Sequence, residues 1–415
     1  MKLLINYHKN STRIAITQNG ILENFFMEKS AKKSIVGNIY KAKVERVIPA
    51  LNASFLNFGE EREGFLPIED FSEELSYQED LVGEEITPLR SLEKVKKGDE
   101  ILVQVVKDSI GTKGPKLTTR LSLPGRYLVL LPREKRRGIS KRIKEEKERE
   151  RLKGLLENLV PKQMGIIVRT LSEGQSKRTF ALEIRQLLRS WQRIETRART
   201  VSAPSLLHQE LSLDLCTIRD LVFTDIDEIV VDSPFQYKNI LRSLKVHAPF
   251  LRRKVRLYQK EAPLFKNEGI EREVERLFQK RVWLKNGGSI VIEETEALVS
   301  IDVNTGKGVR GENVRKAILK TNLEAAKEIA RQIRLRNLGG IIIIDFIDME
   351  SPSDQRDVHK SLEEELEGDK ARINILQISK LGLVEMTRQR TTASLSASHF
   401  ENCPHCDGTG KLRKQ

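Results

Sequence analysis

Two aspartates in this chain stand where chemistry is done. Asp302 follows the apolar stretch Ala297 to Ile301, and Asp345 follows Ile341-Ile342-Ile343-Ile344, so each closes a predicted strand. Between them, Glu312 to Leu335 carries Val314, Ile318, Ala325, Ile329 and Ile333 near helical spacing, and Gly339-Gly340 marks that helix's end. Strand, crossover helix and strand predict a right-handed unit with both aspartates at carboxyl ends of strands, where open α/β sheets gather their ligands. The second strand is continuous and β-branched, a pattern that predicts burial on both faces. Two carboxylates brought together without a cation repel, so their convergence implies a bound metal or a shared proton. Hard oxygen ligands favour magnesium or manganese. The residues alone leave a second reading open, in which each aspartate caps its strand and solvates its own loop.

A second cluster is made of thiols. Cys403-Pro404-His405-Cys406, followed by Asp407-Gly408-Thr409-Gly410, has zinc-knuckle spacing, with glycines that let the backbone fold around a metal. Structural zinc takes four ligands, so the pair is half a site, completed by His399 and His405 or by the same pair from a second subunit. The remaining cysteine, Cys216, lies in an apolar segment and reads as core. Three cysteines in 415 residues make no disulfide framework. Arg169, after the apolar stretch that begins at Met164, reads by residue type as a strand-end arginine in a surface ion pair. Phe55 and Phe65 fall in short strands and by residue type alone read as core.

The elements around these residues come in several units. A chain of 415 residues predicts about two to four compact bodies. Strands are expected at Leu3 to Ile5, Thr12 to Thr17 and Ile21 to Phe26, with Asn19-Gly20 as a tight turn. Five or so short strands from about Val36, through Ala53 to Phe58, Gly64 to Pro67 and Glu100 to Val106, then the loop Gly111 to Pro115, predict a small barrel. A charged helix follows within Pro132 to Asn158, and Phe180 to Arg197 predicts a helix with Leu182, Ile184, Leu187 and Leu188 buried. Glu228 to Asp232 reads as a core strand, and Thr391 to Ser398 as a flexible linker. The 73 Lys and Arg against 59 Asp and Glu, a net charge of +14, favour a polyanionic partner. No stretch approaches the roughly 20 apolar residues of a membrane span. The start, Met1 to Asn6, does not read as a signal peptide, and a cytoplasmic protein is expected.

The segments Ser300-Ile301-Asp302-Val303-Asn304-Thr305-Gly306, Thr321-Asn322-Leu323-Glu324-Ala325, Arg336-Asn337-Leu338-Gly339-Gly340 and Asp345-Phe346-Ile347-Asp348-Met349 closely resemble the catalytic region of the ribonuclease E/G family. Gly382-Leu383-Val384-Glu385-Met386-Thr387-Arg388 leans toward its G branch, and the similarity covers nearly the whole chain. The resemblance implies an α+β and α/β multidomain fold. A ribonuclease H-like subdomain would be split between residues 1–35 and 214–277. An S1 barrel of the OB type (36–119) and a 5′ sensor (120–213) would be inserted in it, followed by a DNase I-like catalytic domain (278–399) and a zinc-link (400–415).

It further implies a magnesium-dependent, single-strand-specific endoribonuclease that leaves 5′ phosphate and 3′ hydroxyl ends and acts in rRNA maturation and mRNA decay. Asp302 and Asp345 would coordinate magnesium, with Asn304 near the scissile phosphate and Asp348 steadying the loop. Phe55, Phe65 and Lys113 would contact RNA, and Val129, Arg169 and Thr170 would bind a 5′ monophosphate. Cys403 and Cys406 would share one zinc across a homodimer. Family members continue beyond the knuckle into a small domain or a long scaffold, neither of which is expected in a sequence ending at Gln415. Two rivals come from other classes. A noncatalytic S1-type RNA-binding regulator explains the charge and aromatics but not the aspartates; a metal phosphoesterase acting on DNA or nucleotides explains the aspartates but not the barrel and sensor.

Overall fold

The computed structural model describes the chain apart from residues 9–10, 30–32, 68–80, 83–95, 110–112, 158, 222–225, 307–313, 368, 370, 380–381, 390–393, 401–402, 407–409 and 411–415. The expected Gly111-Thr112 part of the basic loop, Asp407 to Thr409 and the start of the Glu312 helix lie outside the described residues. The chain forms two compact units: Met1–Asn6, Arg13–Met27 and Tyr258–Gln415 make one, and Tyr7–Thr12 with Glu28–Leu257 the other. Among the described residues no helix is long and apolar enough to cross a membrane.

The chain begins with β1 (Lys2–His8), β2 (Ser11–Gln18) and β3 (Ile21–Lys29). Asn19 and Gly20 both take positive φ, 52° and 80°, the demand of the two-residue turn expected there. Next come β4 (Ile39–Ile48), β5 (Ala53–Asn57), β6 (Gly64–Pro67), the two-residue β7 (Leu81–Val82), β8 (Glu100–Lys107) and β9 (Lys116–Thr118). Strands β4-β5-β6-β9-β8 pair in that order and β8 returns to β4, which closes the predicted barrel. Alternation sends Tyr40, Ala42, Val44, Leu56, Phe58, Leu66, Val103, Val105 and Leu117 inward as its core.

A second sheet combines β10 (Leu123–Pro124), β11 (Leu128–Leu131), β12 (Arg137–Ser140) and β13 (Gly165–Val168) with β7. Helices α1 (Glu146–Glu157) and α2 (Lys177–Thr200) supply Leu152, Leu156, Phe180, Ile184, Trp191 and Ile194 to the cluster that holds Leu128 and Leu130. Val129, Leu131 and Ile167 form a separate cluster. Ser176 caps α2, its side chain accepting from the Thr179 amide. One expectation fails here: Leu182 is 51% exposed. At 3.6 residues per turn it lies about 200° from Phe180, off the buried stripe that runs through Phe180, Ile184, Leu187, Trp191 and Ile194.

Then follow β14 (Ser205–His208), which adds to β4, α3 (Leu213–Leu221), β15 (Glu228–Val231), α4 (Pro234–His247), β16 (Val255–Leu257), α5 (Leu264–Asn267) and α6 (Glu271–Arg276). Strands β16-β15-β1-β2-β3 form a five-stranded sheet. Cys216 is half-buried in α3, and burial pushes its thiol up to about 12, so it is inert.

The last sheet carries the aspartates. Its strands are β17 (Arg281–Trp283), β18 (Ser289–Glu294), β19 (Leu298–Asn304), β20 (Gly340–Asp345), β21 (Ile373–Ile375) and β22 (Leu383–Arg388), in the order β17-β18-β19-β20-β22-β21. Helices α7 (Val314–Leu335) and α8 (Pro352–Leu366) pack with one of its faces, where Ile290, Ile292, Val299, Ile301, Val303, Ile342, Ile344, Val384 and Met386 meet Ala325, Ile329, Ile333, Val358 and Leu362. β19 and β20 run parallel across α7, as the strand-helix-strand reading predicts. The expected two-sided burial of Ile341 to Ile344 is corrected: Ile342 and Ile344 are fully buried, but Ile341 is 50% exposed, because the helices cover one face only.

Helix α7 also ends differently from the Gly339-Gly340 reading. Asn337 takes the left-handed φ of 50°, its amide reaches Arg334 O, and the Leu338 amide reaches Ile333 O. This double bond pattern, with Leu338 buried beneath it, closes the helix two residues earlier. In the expected linker, Ser394 caps a short helix, α9 (Leu395–His399), by accepting from the Ala397 amide, while residues 391–393 lie outside the described chain.

Candidate active site

The open face of the last sheet brings Asp302 and Asp345 together. Asp302 is the register partner of Asp345 in the parallel β19/β20 pair, and of Val291 in the antiparallel β18/β19 pair. Along β19, Val299, Ile301 and Val303 are buried against the helices, so Asp302 and Asn304 face the other way; Asp302 and Asp345 are both exposed. Adjacent strands are about 4.8 Å apart, close enough for two carboxylates to share one cation. Asn304 Nδ2 donates to Asp302 Oδ2 at 2.7 Å, which fixes that carboxylate's rotamer and brings the third expected residue into the same site.

Electrostatics records the crowding. The Asp345 carboxyl is held above the ordinary carboxylate range, first by partial burial and then by the negative charges of Asp302 and Asp348. Asp348 therefore stands near enough for its charge to act on Asp345. Its loop is fastened from below. Asn322, fully buried in α7, donates through Nδ2 to Ile347 O at 2.8 Å and accepts from the Ile347 amide at 3.1 Å. The neighbouring turn is equally tied: Asn286 Nδ2 donates to Thr321 Oγ1, and Asn286 Oδ1 accepts from the Gly288 amide, both at 2.9 Å. A Cβ at Gly288 would stand 2.8 Å from Asn304 O, so only glycine lets this turn lie against the end of β19. Glu385, on β22 opposite Ile343, adds another exposed acid to the open face. Among the described residues no three His, Cys, Asp or Glu side chains gather closely enough to hold a metal by themselves. The donor set at Asp302 and Asp345 is thus two hard carboxylate oxygen groups open to water, which fits an ion such as magnesium that keeps several waters.

In the barrel, Phe55 and Phe65 are direct register partners on β5 and β6, with ring centroids 5.7 Å apart. Neither belongs to the barrel core, and both are part exposed. The Arg46 guanidinium lies 4.9 Å from the Phe55 ring centroid and pairs with Glu63, while Lys116 is in register with Phe65. Lys113 is exposed. Arg169 is buried; its Nη1 donates to Gly125 O and to Asp220 Oδ1, each at 2.7 Å. Thr170 Oγ1 lies 3.0 Å from Ser140 Oγ. Val129 is fully buried and in register with Ile167, the residue two before Arg169, so the two share a face of the sheet. Although burial pushes it up, Asp220 is held at about 2 by Arg219 and Arg169.

Cys403 is exposed and Cys406 half-buried; they flank one turn, closed by the Cys406 amide to Cys403 O at 3.3 Å. The Gly410 amide donates to Cys406 Sγ at 3.3 Å, an arrangement that favours a thiolate. His399 Nδ1 bonds to Leu395 O, while its buried Nε2 has no hydrogen-bond partner among the described residues.

Sequence reading did not single out Asn322 by role, nor Glu385, Asp220 or Glu183, whose carboxylate accepts from the Arg126 and Tyr127 amides. The helical spacing of Asn322 with Ala325, Ile329 and Ile333 was the one available signal for it; Asp220 lies 51 residues from Arg169, beyond any local pattern.

The sequence profile of the Ribonuclease E/G family matches residues 122–391. Ribonuclease E of Haemophilus influenzae is 42% identical over 415 residues, which are 99% of this chain and 44% of that protein. Ribonuclease G of Escherichia coli K12 is 40% identical over 415 residues, 99% of this chain and 84% of that protein. Ribonuclease G of Haemophilus influenzae is 38% identical over 413 residues, 100% of this chain and 84% of that protein. The chain thus spans less than half of the first relative and most of the other two.

Proposed function

This chain belongs to the ribonuclease E/G family, and from that premise we propose that it is a magnesium-dependent endoribonuclease cutting single-stranded RNA. The observation that carries the reading is the register of Asp302 with Asp345 on the open face of the catalytic sheet. Asp302 and Asp345 would hold the magnesium, which when bound supplies a lowered pKa for water and neutralises charge on the phosphoryl oxygens. Asn304 orients Asp302 and keeps amide capacity for the phosphate beside it. Asn322 holds the loop after Asp345 in place, and Asp348 adds negative charge at the site's edge. Hydrolysis leaves a 5′ phosphate and a 3′ hydroxyl.

The barrel is read as an S1 module in which Phe55 and Phe65 meet unpaired bases, at about 1 to 3 kcal/mol per stacked base, while Lys113 meets phosphate. Arg169, Thr170 and Val129 are read as the sensor of a 5′ monophosphate, with Asp220 and Gly125 O fixing the guanidinium. Residues 1–35 with 214–277 are read as the ribonuclease H-like subdomain, and 278–399 as the DNase I-like one. Cys403 and Cys406 would each give a thiolate to a zinc completed by a second copy of the chain. Precursor ribosomal RNA and messenger RNA are the substrates this reading assigns, in the cytoplasm.

The alternative is a noncatalytic S1-type RNA-binding regulator. The crowding of Asp345 by Asp302 and Asp348 favours the enzyme, since a mere binding protein has no need to gather acids on a face meant for a polyanion. A 5′-monophosphorylated single-stranded RNA, incubated with and without magnesium and resolved on a gel, separates the readings. Magnesium-dependent internal cuts are expected; binding with intact RNA would favour the regulator, and cutting of DNA instead would favour a general phosphoesterase.

A further inference from the structure

We infer that the outer end of the catalytic sheet is a nucleotide subsite, where Trp283 stacks on an unpaired base of the substrate RNA and Arg281 pairs with the adjoining phosphate. The inference rests on the endoribonuclease reading and names how that same face grips the strand beside the cut.

Its basis is the register of four strands. Arg281 of β17 is the partner of Val291, Val291 of Asp302, and Asp302 of Asp345, so one cross-strand row joins Arg281 to both carboxylates. In the next row Trp283 is the partner of Ser289 and Ser289 of Asn304. Val282, between them on β17, packs against the helix-covered core. By alternation Arg281 and Trp283 therefore face the open side with Asp302, Asn304 and Asp345. Two strand spacings separate Arg281 from Asp302, about 10 Å, which is the reach of the next nucleotide along a strand and not of the one being cut.

The chemistry of the pair selects the occupant. Trp283 is 69% exposed, and a ring left so open is a surface meant for a flat partner or an unsatisfied one. Its other neighbour is a cation: the Arg281 guanidinium carbon lies 5.6 Å from the ring centroid. Arg281 is itself exposed. A guanidinium beside an indole matches one nucleotide, phosphate to the fork and base to the ring, whatever the base. The chain's net charge of +14 supports a polyanion over an apolar peptide on this face. The row also answers an electrostatic need, because Arg281 is its one positive residue and sits on the side where RNA must approach two carboxylates.

The chain offers its own reporter. It contains two tryptophans, and the other, Trp191, is 2% exposed in the core of the second unit. The experiment uses the full chain with Asp345→Asn, so that RNA binds without being cut, and follows tryptophan emission during titration with a short 5′-monophosphorylated single-stranded RNA. Saturable quenching is expected, absent when Trp283→Phe is added and absent with an abasic oligonucleotide of the same length. Unchanged emission, while anisotropy of a labelled RNA reports binding, would overturn the subsite. In the cleaving enzyme, Trp283→Ala should raise KM about five- to hundredfold with little change in kcat, and Trp283→Phe should restore most of it; a fall in kcat alone would count against stacking. Quenching in a protein that cuts no RNA would sink the catalytic reading and leave the subsite standing.

Discussion

On the open face of the last sheet, short polar side chains stand at positions that the β-strand period dictates. Asp302 and Asp345 each follow an apolar run and were read as strand-end acids; Asp345 does close β20, but β19 continues past Asp302 to Asn304, still paired with β18. The sequence could not tell which face they share, because Ile341 to Ile344 gives the same pattern whether one side or both are covered; the helices cover one, and Ile341 is left exposed. Asn322 was harder still, since an asparagine in a helix is ordinarily a solvent residue and only its full burial gives it a role. Its two bonds to Ile347 make a prediction. Asn322→Ala leaves a buried peptide group unpaired and should cost about 1 to 3 kcal/mol of stability by denaturant melt. It should also lower kcat more than RNA affinity, because the loop bearing Asp348 loses its anchor. An unchanged kcat would show that the loop needs no fastening.

Among the elements, the turn before β11 is held from two sides. The half-buried Glu183 of α2 accepts from the Arg126 and Tyr127 amides, and Gly125 O accepts from Arg169. A Cβ at Gly125 would lie 2.7 Å from Glu183 Cδ, so Gly125→Ala should push the turn off its anchor and remove the preference for a 5′ monophosphate over a 5′ hydroxyl end, with cutting of the hydroxyl substrate retained. Comparing the two substrates in one assay checks this. Burial pushes the Glu183 carboxyl up to about 7, against the amides and Arg169 that pull it down. A folded pKa above the unfolded one means that the group's stabilising contribution, complete at pH below about 4.5, is lost as pH rises to about 7. Chemical melts across that window should find that Glu183→Gln abolishes this part of the pH dependence; an identical pH profile would contradict it. Sequence periodicity foresaw the helix that carries Glu183 and misassigned Leu182 one place before it, because its apolar residues outnumber the positions that a single buried stripe can hold. The end of α7 shows the same limit: Asn337 does the work expected of glycine, and the buried Arg388 that bonds to Asn337 Oδ1 and Leu338 O comes from a strand 51 residues away.

At the scale of the whole molecule, a net charge of +14 makes RNA affinity a matter of released counterions, and KM for RNA should rise steeply with salt. The Cys403 and Cys406 pair reads in the sequence as half a zinc site, and the amide donated to Cys406 Sγ suits a thiolate. Native mass spectrometry should find one zinc per two chains, and Cys403→Ser or a strong chelator should leave monomers; a monomer with a full zinc complement would refute the shared site. The barrel was foreseen because strand alternation and turns are local, whereas the outward placing of Phe55 and Phe65 needed the closed barrel itself to be known. The proposed chemistry rests on the two carboxylates on β19 and β20, and the most direct measurement is on them. Asp302→Asn and Asp345→Asn, each assayed for RNA binding by anisotropy and for magnesium-dependent cleavage on a gel, should keep RNA affinity within about threefold while cleavage falls by at least about a thousandfold. Cleavage at the parent's rate by the doubly substituted protein would contradict the account.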